Sequence, residues 1–158
     1  MKYWLMKSEP DVFGIEHLKK CKKQTEPWDG IRNYQARNFM RDDMTIGDQA
    51  FFYHSNCAEP GIVGIMEIVS DPYPDFTQFD ADSNYYDAKS DPDDPRWILV
   101  DVKFVRELEQ PVSLKHLKAN ADRFDDFRLL AKGNRLSIMP VTRKQWNTVL
   151  EMEKELGQ

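Results

Sequence analysis

Two uninterrupted apolar runs constrain the fold most: Tyr3-Trp4-Leu5-Met6 and Ala50-Phe51-Phe52-Tyr53. A strand with one wet face alternates apolar and polar residues, whereas a strand apolar at every position is covered on both faces. Ile62 to Val69 adds a third strand of strong β-propensity, and the short loop from Ser55 to Gly61 makes it a hairpin with the second. Gly64 inside it marks a bulge or a close backbone approach. Trp97 to Val105 alternates, with Ile98, Val100, Val102 and Phe104 on one face, and Pro111 stops that element. Gly133-Asn134 turns into a fifth strand, Arg135 to Met139, ended by Pro140-Val141. Helices are predicted over Val12–Lys20, after Asn33, after the Ser113 cap and, as looser turns, between Asn120 and Leu130. A last helix follows a Thr142/Gln145 capping box, with Trp146, Val149 and Leu150 inward. Strands and helices mixed in this way give an α+β class.

The 158 residues suit one domain, 1–158. No apolar run approaches the 18 residues of a membrane span, and Met1 to Lys7 is too short and too soon charged for a secretory signal. Cys21 and Cys57 provide no disulfide framework, which points to the reducing cytosol. The net charge of −5 is unevenly spread. Asp71 to Pro95 holds eight aspartates and one lysine, so the rest of the chain is slightly basic and still permits a polyanionic ligand. At this length the acidic stretch is either functional or a loose cover, and removing it is expected to spare a binding site elsewhere.

Glu26 to Asn38 concentrates unusual chemistry. A Pro27-Trp28-Asp29-Gly30 turn hands over to a short helix with Arg32, Arg37 and Arg41. Asn33, Arg37 and Arg41 share one helical face, and Ala36 and Met40 another. An aromatic plane, a side-chain amide and several guanidiniums suit a flat polar ring attached to phosphate. The competing reading makes Trp28 a core plug and the arginines a solvated face.

His54-Ser55-Asn56-Cys57 places an imidazole, a hydroxyl, an amide and a thiol at one strand end. As a His54/Cys57 nucleophile pair it lacks an oxyanion donor, and such a cysteine commonly serves as a small buried hydrophobe. The same residues suit hydrogen bonding to a base edge. No metal-ligand spacing is present: Asp80-x-Asp82-x-Asn84 resembles a calcium loop, but Tyr85 stands where that loop needs glycine. Phosphate-gripping, hydrolase-elbow and zinc-deaminase patterns are absent as well.

Long segments resemble the EVE domain family: Trp4 to Pro10, Trp28 to Asn38 and Phe51 to Asn56. Pro60 to Gly64, Tyr85-Tyr86-Asp87, Pro95-Arg96-Trp97 and Arg135 to Val141 follow in the same order. The resemblance implies a PUA-like mixed β-barrel of about five to six strands flanked by helices, related to the YTH readers of methylated adenine. It implies a non-enzymatic reader of nucleic acid, DNA or RNA, that accommodates a modified base in an aromatic pocket. Trp28 is then a wall of the cage, which Trp97 or the Tyr85-Tyr86 pair closes. Lys7, Ser8, Asn33, Tyr34, His54, Ser55 and Asn56 complete the base-binding set. Arg32, Arg37, Arg41 and Arg135 contact the nucleic-acid backbone. No cofactor, metal or membrane is implied, a monomer is expected, and the lack of a basic tail points to a stand-alone bacterial form in the cytoplasm. Two rival readings remain: an enzyme acting on a nucleotide or small ligand through His54 or Cys57, and a small-molecule or protein-interaction module using the acidic stretch.

Overall fold

The computed structural model describes residues 1–158. In chain order it contains β1 (Tyr3–Ser8), α1 (Pro10–Phe13), α2 (Ile15–Lys20), β2 (Thr25–Pro27), α3 (Tyr34–Asn38), β3 (Gln49–His54) and β4 (Gly61–Ile68). These are followed by β5 (Tyr73–Pro74), β6 (Ile98–Leu99), β7 (Asp101–Ser113), α4 (Leu114–Ala119), β8 (Ile138–Val141) and α5 (Arg143–Leu156). Six strands form one curled mixed sheet in the order β2-β7-β4-β3-β1-β8, a half-barrel flanked by helices. Only β1 and β3 run parallel. No helix is long and apolar enough to cross a membrane.

The apolar runs are continuous because the sheet has a core on each face. Trp4, Met6, Ala50 and Phe52 join one cluster with Ile15, Leu18, Trp28 and Met40. Leu5, Phe51 and Tyr53 join the other with Trp146, Val149 and Met152 of α5. Successive side chains of a strand point to opposite faces, so each run feeds both cores. On the second face the Trp146 ring stacks on Phe51, with centroids 3.8 Å apart. The predicted capping box starts α5: Thr142 Oγ1 accepts from Gln145 N–H, and Gln145 Oε1 accepts from Thr142 N–H. Leu150 is only half-buried, and Met152 takes the deeper place.

Gly64 is both a bulge and a close approach. The register with β7 shifts on either side of it, and a Cβ there would collide with the Ile15 side chain. Pro111 does not stop its strand. Between Ile62 and Gly64 the β7 partner jumps from Val112 to Glu107, so Pro111 lies in the bulged segment, where the ladder requires no N–H of it. The last strand is also displaced, to Ile138–Val141. It takes in Pro140 because β8 is an edge strand with one side unpaired. The predicted helix over Val12–Lys20 is broken at Gly14, where the backbone is extended. The alternating stretch from Trp97 is likewise split at Val100, and β2 pairs with Asp101 to Lys103 of β7, where no strand was anticipated.

Candidate nucleic-acid interface

At one end of the sheet, the chain leaving β2 faces the ends of β1 and β3 across a cleft of about 760 Å³. Backbone hydrogen bonds fix the turn that carries Trp28. Trp28 N–H donates to Val100 O at 2.9 Å, and Gly30 N–H donates to Asp75 Oδ2 at 2.9 Å. Gly30 has φ +82°, and a Cβ there would meet the Tyr85 ring at 2.6 Å, so only glycine lets Tyr85 lie across the turn. Trp28 therefore has two environments. It is 5% exposed, edge-on to Phe52 at 5.4 Å and to Phe13 at 6.3 Å, and it also lines the cleft. The core-plug reading describes the part packed on Phe52 and Phe13, and the remainder borders the cleft.

Lys7, Ser8, Ser55, Arg32 and Arg135 join Trp28 around the cleft. Lys7 and Arg135 enter no ion pair. Burial lowers the Lys7 pKa, and its ammonium lies 5.6 Å from the centre of the Tyr53 ring. Ser8 Oγ donates to Phe13 O at 2.7 Å, which leaves its lone pairs free to accept. Arg32 borders the cleft, but its guanidinium is used internally. It donates to Ile31 O, twice to Tyr85 O, to Thr77 Oγ1 and to Asp75 Oδ2. A guanidinium has five N–H groups, so none is left for a phosphate.

Seven of the predicted residues lie outside the cleft lining, each with a structural task. Asn33 is the N-cap of α3 and accepts from Ala36 N–H, so the amide and the helix start satisfy each other. Arg32 consequently precedes that helix instead of riding on it. Tyr34 stacks on Trp97 at 4.9 Å, and Trp97, 5% exposed, donates its indole N–H to Asp87. Trp97 thus lies outside the cleft lining. Arg37 lies over Tyr34 and donates to Arg96 O, while Arg41 pairs with its neighbour Asp42. His54 Nε2 accepts from Ile15 N–H at 3.1 Å, and burial lowers the His54 pKa. Asn56 has φ +51° and donates to Glu9.

The cleft also contains residues that sequence reasoning passed over. Val12 and Phe13 enter it because Gly14 breaks the helix that would have turned them elsewhere. Glu26 and Asp29 also line the cleft; from sequence Asp29 reads as turn chemistry, and Glu26 carries no signal of its own. Desolvation, then the negative neighbours Asp75 and Glu26, lift the Asp29 pKa above the usual carboxylate range. Cys21, whose Sγ donates to Glu26, is pushed up to about 11, chiefly by burial. The acidic stretch is part of the site wall as well: Asp75 anchors Gly30, and Tyr85 lines the cleft. Removing it would dismantle that wall, contrary to the sequence expectation.

The arrangement offers an apolar and aromatic surface, free hydroxyls, two uncommitted cations and one uncommitted carboxylate. The model of the EVE domain matches residues 2–152. Thymocyte nuclear protein 1 of Mus musculus is 46% identical over 168 residues, covering 96% of this chain and 74% of its own length. The structure of the human THYN1 protein in complex with 5-methylcytosine-containing DNA superposes with a TM-score of 0.93 at 45% identity, covering 98% of each chain. A Pseudomonas syringae protein superposes at 0.90 with 48% identity, covering 96% of this chain and 99% of that one. With matches of this extent in both sequence and fold, the chain belongs to the EVE domain family.

Proposed function

We propose that this chain is a non-enzymatic reader of nucleic acid that admits a modified base, 5-methylcytosine in DNA first of all, into the cleft beside Trp28. The observation that carries this reading is the similarity, over 98% of both chains, to a protein solved with 5-methylcytosine-containing DNA. The cleft chemistry supports it. A base drawn out of a duplex loses stacking and pairing, and a pocket must replace both. An aromatic face restores ~1–3 kcal/mol per base, and Lys7 and Arg135 are free to neutralise phosphates. His54 speaks against the enzymatic alternative, because the nitrogen that would act as a base already holds Ile15 N–H. Residues 1–158 act as one domain and as a monomer on this reading, and the two free thiols suit the cytosol.

The test is anisotropy binding of duplexes that differ by a single methyl group. Burying one methyl contributes roughly 0.8 kcal/mol, so the methylated duplex should bind about four-fold tighter. Val12 is 61% exposed and lines the cleft, so Val12→Asp should block binding without disturbing the fold. Equal binding of both duplexes, together with indifference to Val12→Asp, would overturn the reading.

A further inference from the structure

The cleft is bipolar. Lys7 and Arg135 stand on the β1 and β8 side, while Glu26 of β2 and Asp29 of the turn that carries Trp28 stand opposite, with Glu9 after β1. Two of the three carboxylates are committed: Glu9 accepts from Asn56 Nδ2 at 2.6 Å, and Glu26 from Cys21 Sγ at 3.1 Å. The Asp29 carboxylate accepts no hydrogen bond from any other residue, and its N–H donates to Pro27 O. The main chain that carries it is nevertheless fixed, because the residues on either side are pinned to Val100 and Asp75.

A base lying against Trp28 turns an edge towards this turn. 5-Methylcytosine and thymine carry the same methyl group, so apolar contact cannot separate them. They differ at position 4, amine against carbonyl, and at N3, lone pair against N–H. Some group in the cleft must read that difference, and Asp29 is the acceptor left over. Building on the reading above, we infer that Asp29 selects the base, accepting a hydrogen bond from the 4-amino group of a cytosine-type base and rejecting thymine. Thymine would bring O4 against a carboxylate oxygen, leaving two acceptors face to face without a proton between them. The discrimination requires Asp29 ionised, because a protonated carboxyl would donate to O4 of thymine and accept from its N3–H. The charges facing it are Glu26, Asp75 and Arg32 from its surroundings and Lys7 and Arg135 across the cleft.

The experiment uses the full chain and three duplexes of identical flanks, with 5-methylcytosine, cytosine or thymine opposite an abasic site, so that no probe base is paired. Wild type should prefer 5-methylcytosine to thymine by roughly ten-fold. Asp29→Asn keeps the shape but turns an N–H donor towards O4, so that ratio should fall to near one or invert. The ratio of 5-methylcytosine to cytosine should stay as it was, and so should the melting temperature. An unchanged preference over thymine in a folded Asp29→Asn protein overturns the assignment and leaves the cleft reading standing. If wild type binds none of the duplexes, or binds them with no effect of Val12→Asp, the cleft reading falls and this assignment falls with it.

Discussion

Arg32 and Arg135 both border the cleft, and the structure gives them opposite roles that one pair of variants separates. Arg32 is bolted to the acidic stretch by four hydrogen bonds, including an ion pair to Asp75 at 3.1 Å. The Asp75 side chain is 1% exposed and that of Arg32 is 23% exposed, so solvent screens the pair little. Removing one partner of a buried pair costs ~3–5 kcal/mol, because the other charge is stranded. Asp75 retains Gly30 N–H and the N–H and hydroxyl of Thr77, which places Arg32→Ala at the lower end, about 3 kcal/mol. For a chain of this size that lowers the melting temperature by roughly 6–12 °C. Arg135 is exposed and unpaired, so Arg135→Ala should leave the melt unchanged. Binding measured across a salt series should reverse the order. Each phosphate contact contributes ~0.9 to the slope of log K against log salt on duplex DNA, so Arg135→Ala should lose about one unit and Arg32→Ala none. The Arg32 series must be run below its own melt. If Arg32→Ala melts with wild type and loses a unit of slope, its bonds to the acidic stretch are dispensable and the division of roles is wrong.

Trp28→Ala should lose both binding and stability, because a buried aromatic truncated to alanine costs ~3–5 kcal/mol; Trp28→Phe should recover most of the melt in a thermal scan but little of the affinity. Glu153 is held below the usual carboxylate range, first by its hydrogen bonds from Arg106 and also by Glu109 N–H. A depressed carboxylate contributes stability above its unfolded pKa, 4.5 for glutamate, and loses it as pH falls through the folded value. The gap in melting temperature between wild type and Glu153→Gln should therefore be full at pH 6 and close on acidification; a gap that does not change with pH would refute the linkage.

The fold was legible where the signal was local. Tyr3 to Met6 and Ala50 to Tyr53 announced strands covered on both faces, and Thr142 with Gln145 announced the start of α5. β2 was hidden because three residues ending in proline have no pattern of their own; Lys103, Val102 and Asp101 of β7 make them a strand. The arginine cluster was misread for a related reason. Arg32 and Arg37 are adjacent in sequence to Trp28, but their acceptors are Asp75, Tyr85 and Arg96, more than forty positions away. Neighbourhood along the chain suggested a common ligand, whereas the fold supplies each with an internal partner. Lys7 and Arg135 gave no comparable cluster, and the antiparallel pairing of β1 with β8 accounts for their meeting at the cleft.

The same distinction resolves the charge puzzle of an acidic chain proposed to bind nucleic acid. Half of the eight aspartates of the 71–95 stretch are engaged in shaping it. Asp80, Asp87 and Asp91 each accept from a backbone N–H two residues on, and Asp75 accepts from that of Thr77, so these carboxylates form the turns of a segment without long strands or helices. Asp75 and Asp87 additionally hold Arg32, and Arg96 and Trp97, respectively. Negative charge committed in this way repels a phosphate less than its formal count implies, since its nearest neighbours are donors that the folded chain already supplies. The cleft presents Lys7 and Arg135 outward and leaves Asp29 beside Trp28. Two free cations suffice for a few phosphate contacts and no more, so affinity from charge is modest. Selectivity must then come from the base edge, and the uncommitted carboxylate stands next to the aromatic face where that edge would be read.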